Sequence, residues 1–349
     1  MDYTKLKIDQ NRSIISALRM MDDLQRKLLL VFDSESFVGL ISIGDIQRAI
    51  IRGVSLDIPI RLILRKSIRT ATEDESDEDI KSLMLDFRME CLPILDKKGN
   101  LSRVVMWEDL FTEKNIKSTM FHLPVVIMAG GKGTRLRPLT NIIPKPLIPV
   151  LKKTLMEDIM DRFLEYGCSD FFVSVNYKAD VIKHYFNSLK NSSYQIQYFE
   201  ENVPLGTAGS LTLLKGVICS TFWVTNCDIL VNDDYSQILN YHRSNRNELT
   251  IVAAVKSFPL NYGVLETKED GLLDTIIEKP DLTFKINTGL YLLEPHLLNE
   301  IPENKFYHIT HLIDKLKSEN RRVGVFPITE KSWIDVGNWT EYLNVIKQK

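Results

Sequence analysis

The sequence predicts an α/β fold with a mostly parallel sheet, preceded by a smaller α/β unit. Three observations lead there. After Leu123, apolar runs of strand length alternate with stretches of helical period, the mark of a parallel sheet covered on both faces. The residues before it carry an internal repeat instead. Between the two lies the polar segment TEKNIKSTM, which has no period and reads as a linker. The 349 residues suit two domains at ~150 residues each. Their expected bounds are 1–118 and 119–349.

The repeat is visible as two matching segments. KLLLVFDSESFVGLISIGDIQRAI begins at Lys27 and CLPILDKKGNLSRVVMWEDLFTEK at Cys91. Each is an apolar strand, a turn with an Asp, a second strand, and an Asp opening a helix. Asp33 matches Asp96, and Asp45 matches Asp109. An amphipathic helical stretch precedes each, with Ile15, Leu18 and Met21 at helical spacing in the first and Ile80, Leu83, Met84 and Phe87 in the second.

Beyond the linker the elements follow in order. LPVVIMAG reads as a buried strand. LMEDIMDRFLEYG reads as a helix closed by Gly167, with Leu155, Ile159, Phe163 and Tyr166 on one face. DFFVSVNY, YQIQYFE and TFWVTNCDIL read as strands. DVIKHYFNSL and GSLTLLKGV read as helices between them. Sites in such sheets lie beyond the carboxyl ends of the strands, and that is where the chemistry-bearing residues fall.

Composition narrows the classes of function. Formal net charge is −2, so there is no global field for nucleic acid or an anionic membrane. No apolar run reaches the ~20 residues needed to cross a bilayer, and MDYTKLKIDQ lacks a signal-peptide core. Cys91, Cys168, Cys219 and Cys227 have no disulfide or zinc spacing. A reducing, cytoplasmic setting is the expectation.

The loop after the first strand of the second region is AGGKGTRLRPLT. Gly130, Gly131 and Gly133 let backbone N–H groups come close to a bulky anion. Thr134 follows them, and Arg135 and Arg137 add fixed positive charge. Next comes PKPLIPV, in which Lys145 is pinned between two prolines that stiffen its anchor. A held lysine beside a glycine-arginine loop suits a polyphosphate. The spacing is neither that of a P-loop nor G-x-G-x-x-G. Two Asp residues stand where strands end, Asp228 in TNCDIL and Asp335 in WIDVG; taken singly, each is open to a cap or turn reading. Trp333 reads as packing beside Asp335, and Cys227 as a small buried residue.

G-G-x-G-T-R-L-x-P-L-T followed by P-K-P-L-x-P-V resembles the signature of the sugar-1-phosphate nucleotidylyltransferases, over residues 124–349. The resemblance implies a Rossmann-like core that joins a nucleoside triphosphate to a sugar 1-phosphate and releases pyrophosphate. It implies that Arg135 and Lys145 neutralise the triphosphate and that Asp228 and Asp335 hold Mg²⁺. Cys227 departs from the family's glycine at its place. EENVPLGTAGSL also matches: Gly206 would lie against the base, with Thr207 beside it, and Glu201 would meet the Watson–Crick edge. A carboxylate there favours guanine, hence GTP. Helix capping for Thr207 and an exposed charge for Glu201 are the plain alternatives. Gly263, Glu278, Lys279 and Asn287 would contact the sugar phosphate, although a Glu–Lys pair is also a common exposed ion pair.

The N-terminal repeat resembles a tandem CBS pair over about residues 1–118. That implies a regulatory or dimerising role and a homo-oligomer. Asp45, preceded by Ser42, and Asp109 in the second copy would hold the ribose of an adenine nucleotide; both also suit a helix start. Met106 departs from the usual Ser or Thr. A CBS pair joined to this second domain is similar to the bacterial guanylyltransferases of legionaminic acid synthesis. That narrows the expected sugar to glucosamine 1-phosphate; the alternatives are mannose 1-phosphate, another hexose 1-phosphate, or a nucleotide-sensing regulator whose transferase domain is inactive.

Overall fold

A computed structural model describes residues 3–87, 89–107, 120–150, 152–189, 193–201, 203 and 205–347. The chain divides into two compact units, Met1–Lys117 and Ser118–Lys349. The first runs β1 (Lys7–Asp9), α1 (Ile14–Leu24), β2 (Leu28–Asp33), β3 (Ser36–Ser42) and α2 (Ile43–Ile51). It continues with β4 (Ala71–Thr72), α3 (Asp77–Phe87), β5 (Cys91–Leu95) and β6 (Leu101–Met106). The sheets β1-β2-β3 and β4-β5-β6 share one plan, with the first pair parallel and the second antiparallel. The strands β1 and β4 escape a reading of the sequence because two or three residues show no alternation.

Capping explains where the helices of this unit begin. Ser13 Oγ accepts from Ser16 N at 3.3 Å and starts α1, which buries Ile14, Ile15, Leu18 and Met21. At α2 the cap is Ser42, and Asp45 is its reciprocal partner in a capping box. The Asp45 carboxylate accepts from Ser42 N at 2.9 Å, Ser42 Oγ at 2.7 Å, Arg48 Nη2 at 2.5 Å and Arg65 Nε at 2.7 Å. A carboxylate has about four acceptor positions, so the chain itself uses those that the sequence reading reserved for a ribose. Burial alone would raise this pKa, but the bonds to Arg65 and Ser42 outweigh it and hold it below the usual value. Asp109 lies outside the described residues.

The second unit begins with β7 (Val125–Met128), α4 (Leu139–Ile142), β8 (Pro149–Val150), β9 (Lys153–Thr154) and α5 (Leu155–Leu164). There follow β10 (Asp170–Val175), α6 (Ala179–Ser188), β11 (Gln195–Glu200), α7 (Gly206–Gly209), β12 (Phe222–Asn226), β13 (Ile229–Val231) and α8 (Tyr235–Ser244). It ends with β14 (Leu249–Pro259), β15 (Val264–Thr267), β16 (Leu273–Ile277), β17 (Asp281–Leu293), α9 (Ile309–Ser318), β18 (Val323–Thr329), β19 (Trp333–Asp335) and α10 (Trp339–Lys347). The main sheet has the order β11-β10-β7-β12-β17-β14-β18. All neighbours are parallel except the two pairs made by β17. This is the mostly parallel α/β core expected.

Successive residues of β7 feed opposite faces, as a strand requires. Val125 and Ile127 pack with α5, α6 and α8 through Ile159, Phe163, Ile182 and Ile238. Val126 packs with Leu211, Leu214 and the α9 residues Leu312 and Leu316. Two elements differ from the sequence reading. GSLTLLKGV is a 3₁₀ turn over Ser210–Leu214 that follows the α turn Gly206–Gly209, with Thr212 Oγ1 donating back to the Gly209 carbonyl at 2.8 Å. TFWVTNCDIL is two strands, since the chain leaves the sheet after Asn226 and pairs β13 with β19 instead.

At the amino ends of β12 and β14 an ionic network ties the turns together. Glu248 accepts from Arg321 Nε at 3.1 Å and lies 2.6 Å from His296 Nε2, while Arg321 Nη1 reaches Glu300 at 2.8 Å. Chiefly through Arg321, the Glu248 carboxyl falls from 4.5 to about 2. Its contribution is fully present above pH 4.5 and is lost as pH falls toward 2. Glu248→Gln should therefore cost on the order of 1–3 kcal/mol at neutral pH. In thermal melts it should flatten the acid-limb loss that the wild type shows.

Candidate active site

The strands β10 and β11 lie on one side of β7 and β12 on the other, so the order reverses between β7 and β12. That reversal opens a crevice at the carboxyl ends of the two strands. Register places Asn226 beside Met128, so the glycine loop and Asp228 leave the sheet next to each other. Gly133 sits at φ 61°, with the side chains of Thr140 and Lys145 against it; a Cβ there would lie 2.9 Å from Thr140 Cγ2. Thr140 Oγ1 donates to the Gly133 carbonyl at 2.8 Å and fixes the loop.

Lys145 starts a 3₁₀ turn between Pro144 and Pro146 and is only 7% exposed. Its Nζ donates to Asp228 Oδ2. Arg135 Nη2 lies 3.7 Å from the same oxygen. A buried ammonium needs such a partner. Asp335 arrives through β19, whose antiparallel register sets it opposite Ile229. The Val336 N–H donates to the Asp228 carbonyl at 2.7 Å. A Cβ on Gly337 would lie 2.6 Å from Asp335 Oδ1, 2.9 Å from Arg135 Nη2 and 3.2 Å from Asp228 Oδ2. The structure thus brings Arg135, Asp228 and Asp335 around one point that Gly337 keeps open. Gly337 has no motif of its own beyond following WIDV, so the sequence carries no signal that marks it.

These residues open onto a cleft of about 330 Å³ with Asn226, Asn287, Thr288, Gly289 and Trp333 in its walls. Asn287 is held there by bonds to Tyr291 Oη at 2.9 Å and Gly289 N at 3.0 Å. A bulge in β17 opposite Val252 turns this segment inward. Gly289 has φ 88° and a Cβ there would be 2.5 Å from Asn226 Nδ2. Asn226 is a second residue that no sequence signal marks. Gly263 and Glu278 approach each other, the ideal Cβ of Gly263 lying 3.0 Å from Glu278 Oε2, but they and Lys279 do not line this cleft.

The segment expected to take the base also makes bonds within the chain. Glu201 is buried; it accepts from Ser174 Oγ at 2.5 Å and from Leu205 N at 2.9 Å. Each carboxylate oxygen already has a donor inside the protein. Gly206, at φ 83°, faces the Tyr307 carbonyl, which would be 2.7 Å from a Cβ. Thr207 Oγ1 accepts from Ile309 N, the first residue of α9, at 3.1 Å; it does not cap its own turn, whose N-cap Leu205 makes no side-chain bond. Gly130 adjoins Glu201, whose Oε1 would be 3.2 Å from a Cβ there. Gly131 has open space around it.

Among the described residues no group of three or more His, Cys, Asp or Glu side chains is placed to hold a metal. What the cleft offers is one carboxylate pair. That pair suits Mg²⁺, which takes one or two carboxylates and completes its shell with water and phosphate oxygens. No described helix is long and apolar enough to cross a membrane.

A family model described as "Nucleotidyl transferase" matches residues 124–349. The chain is 31% identical over 224 residues to a mannose-1-phosphate guanylyltransferase catalytic subunit beta of Drosophila pseudoobscura pseudoobscura, covering 62% of this chain and 60% of that protein. It is 32% identical over 244 residues to a UTP--glucose-1-phosphate uridylyltransferase of Synechocystis, covering 64% and 63%. The chain therefore spans about three fifths of the length of these relatives. Among solved structures, HddC from Yersinia pseudotuberculosis matches at 29% identity and TM-score 0.50, over 65% of this chain and 99% of that one.

Burial, with the Asp228 charge adding to it and Lys145 opposing, pushes the Cys227 thiol up to about 12. Burial likewise raises Cys91 and Cys168 to about 12. Cys219 alone among the four is exposed. Iodoacetamide at neutral pH should modify Cys219 alone in the folded protein, as read by peptide mass, and Cys219→Ser should take up no label.

Proposed function

From the premise that residues 124–349 belong to the nucleotidyl transferase family, we propose that the chain is a sugar-1-phosphate nucleotidylyltransferase. It would transfer a nucleotidyl group from a nucleoside triphosphate to a sugar 1-phosphate and release pyrophosphate. The observation that carries this reading is the convergence of Arg135, Asp228 and Asp335 around Gly337, with Lys145 on Asp228.

The reaction brings two anions together, so charge decides what the residues must do. The glycine loop presents backbone N–H groups to the triphosphate, with Gly130, Gly131, Gly133 and Thr134 as its span. Arg135 and Lys145 offset phosphate charge as the attacking oxygen approaches the α-phosphorus in line. No side-chain base is required, because a phosphate oxygen is already ionised. Two cations and two carboxylates sum to zero in the cleft, so bound phosphates need further positive charge. A divalent cation such as Mg²⁺ on Asp228 and Asp335 would supply it as a Lewis acid. Asn287, Gly263, Glu278 and Lys279 are the proposed sugar-phosphate contacts, which requires the last three to approach the cleft when substrate binds.

For substrates we propose GTP, supported by the guanylyltransferase named among the relatives. Glucosamine 1-phosphate is the sugar suggested by the pairing of the two domains, and mannose 1-phosphate is supported equally by that relative. Glu201 is the proposed contact to the base edge, since its two internal donors leave about half of its acceptor positions open. We propose that the N-terminal unit is a tandem CBS pair, as its two matching halves suggest. An adenine nucleotide there would have to displace Arg48 or Arg65 from Asp45.

Two measurements test the reading. Pyrophosphate release with Mg²⁺ should be strongest for GTP with glucosamine 1-phosphate or mannose 1-phosphate; no turnover with any common triphosphate and hexose 1-phosphate would remove the proposal. Asp228→Asn, Asp335→Asn and Gly337→Ala should each lower kcat about 100-fold or more. The Gly337 variant should keep its melting temperature within a few degrees, because its new methyl displaces side-chain ends and not backbone.

A further inference from the structure

The loop after β11 is fastened to the segment that opens α9. Parallel pairing carries β11 through β10 to β7, so this loop leaves the sheet at the same end as the glycine loop. Glu201 adjoins both. Its Oε2 accepts from Leu205 N at 2.9 Å, and its Oε1 would lie 3.2 Å from a Cβ on Gly130. From Leu205 to Gly209 the backbone is then held by residues 307–309. Tyr307 N donates to the Leu205 carbonyl at 2.8 Å, and the Tyr307 carbonyl accepts from Ala208 N and Gly209 N, both at 3.0 Å. Thr207 Oγ1 accepts from Ile309 N. Gly206 and Gly209 permit the approach, since a Cβ on either would lie 2.7 Å from a carbonyl oxygen, of Tyr307 and of Lys305.

Two further bonds of this fastening end on imidazole nitrogen. His308 Nδ1 accepts from Thr207 N at 3.4 Å and lies 3.3 Å from Thr207 Oγ1. His311 Nδ1 accepts from His308 N at 3.2 Å. His308 is the N-cap of α9 and His311 its N3 residue, the two places of a capping box. Ser, Thr, Asp or Asn commonly hold the first place and Glu or Gln the second, and all of these remain acceptors at neutral pH and somewhat below. A histidine nitrogen accepts only while it carries no proton. A backbone N–H can only donate, so neither Nδ1 is protonated here and each neutral ring keeps its hydrogen on Nε2. An added proton must go to Nδ1, where it sets one N–H against another.

We infer that His308 and His311 are positioning residues for the nucleotide and make its binding depend on pH. This rests on the proposed reading that the Gly206–Thr207 loop lies against the base. While both rings are neutral, the loop is fixed in one place. Protonation releases Thr207 N and His308 N, so the loop and the first turn of α9 loosen together. The start of a helix also disfavours added positive charge. Neither histidine lines the cleft around Asp228 and Asp335, so the effect falls on binding of the triphosphate and not on the chemical step. The turns packed on α9, Gly206–Gly209 and Ser210–Leu214, carry no titratable side chain, and neither does β18. On α9 itself Asp314 and Lys315 follow the pair, and Lys315 is bonded to Glu300 at 2.6 Å. Ahead of α9 stand Lys305 and Glu303, the latter paired with Lys215 at 3.0 Å. Tyr307 is raised by burial, and Glu201 lies behind the loop. Carboxylates and amines keep one charge across the range in which imidazole titrates, so a change in that range belongs to the histidines.

Titration calorimetry on the full chain tests this, with GTP and with UTP, Mg²⁺ present and no sugar, at roughly pH 7.5 and 5.5 on either side of the imidazole range. The terminal phosphate of the ligand also gains a proton there. The quantity read is therefore the ratio of dissociation constants at the two pH values, compared between the wild type and the double variant His308→Asn, His311→Gln. Asn and Gln keep an acceptor at both places and take up no proton. The wild-type ratio should exceed that of the variant about tenfold, the weight of one or two hydrogen bonds. In steady-state pyrophosphate release the same factor should appear in KM for the triphosphate, while kcat changes with pH alike in both proteins. Either single variant should remove part of the excess, which keeps the test open if the double variant folds poorly. Equal ratios in wild type and variants overturn the inference and leave the base-side reading in place. An excess confined to kcat overturns it too. No binding of either triphosphate at either pH overturns that reading and the inference with it.

Discussion

The short antiparallel pairing of β13 with β19 is the constraint on which the candidate site depends. The β12 strand could have continued along the sheet; instead the chain turns at Cys227 and Asp228 and runs beside Trp333–Asp335. That turn does two things together. It holds Asp228 at the crevice between β7 and β12, and it brings Asp335 to it through one backbone bond, Val336 N–H to the Asp228 carbonyl. Lys145 and Arg135 are then drawn to Asp228 by charge. Three residues of pairing thus assemble groups from three distant parts of the sequence.

Electrostatics gives the arrangement its character. Lys145 is buried, and a buried cation without a counter-charge costs several kcal/mol. Asp228 supplies that charge, and the exposed Arg135 lies beside it. Arg135, Lys145, Asp228 and Asp335 sum to no net charge as the cluster stands. The same neutrality means that phosphate binding must bring in positive charge or rearrange what is there.

Much of this was legible in the sequence, for physical reasons that differ by element. Helices α1, α3 and α5 announce themselves because their apolar positions recur at 3.6 residues. The glycine loop and the proline-flanked Lys145 were legible because few backbones need three glycines and a stiffened lysine so close together. Strand direction was not: the antiparallel β17 carries a continuous buried run over Thr288–Leu293, as a parallel neighbour would, and only the partner decides. Gly337 and Asn226 were invisible because their importance is what stands beside them in space. Glu201, Gly206 and Thr207 show the opposite case. Their residue types suit a nucleotide pocket, and Ser174, Leu205, Tyr307 and Ile309 also lie on them, so one residue type serves both the fold and a pocket. Asp45 is similar, since a carboxylate at a helix start serves a capping box and a ribose equally well until Arg48 and Arg65 are seen on it.

The span of sequence that the site draws on has a consequence for the order of events during synthesis. Lys145 meets Asp228 across 83 residues, and Trp339 donates to the Arg137 carbonyl across 202. At ~5–20 residues per second, the ribosome needs roughly 10–40 s to make the latter interval. For that time the phosphate loop has left the exit tunnel without the strand and helix that close over it. The centre therefore cannot mature piecemeal; it appears when β19 and α10 dock, long after the sheet around β7 has the residues to form.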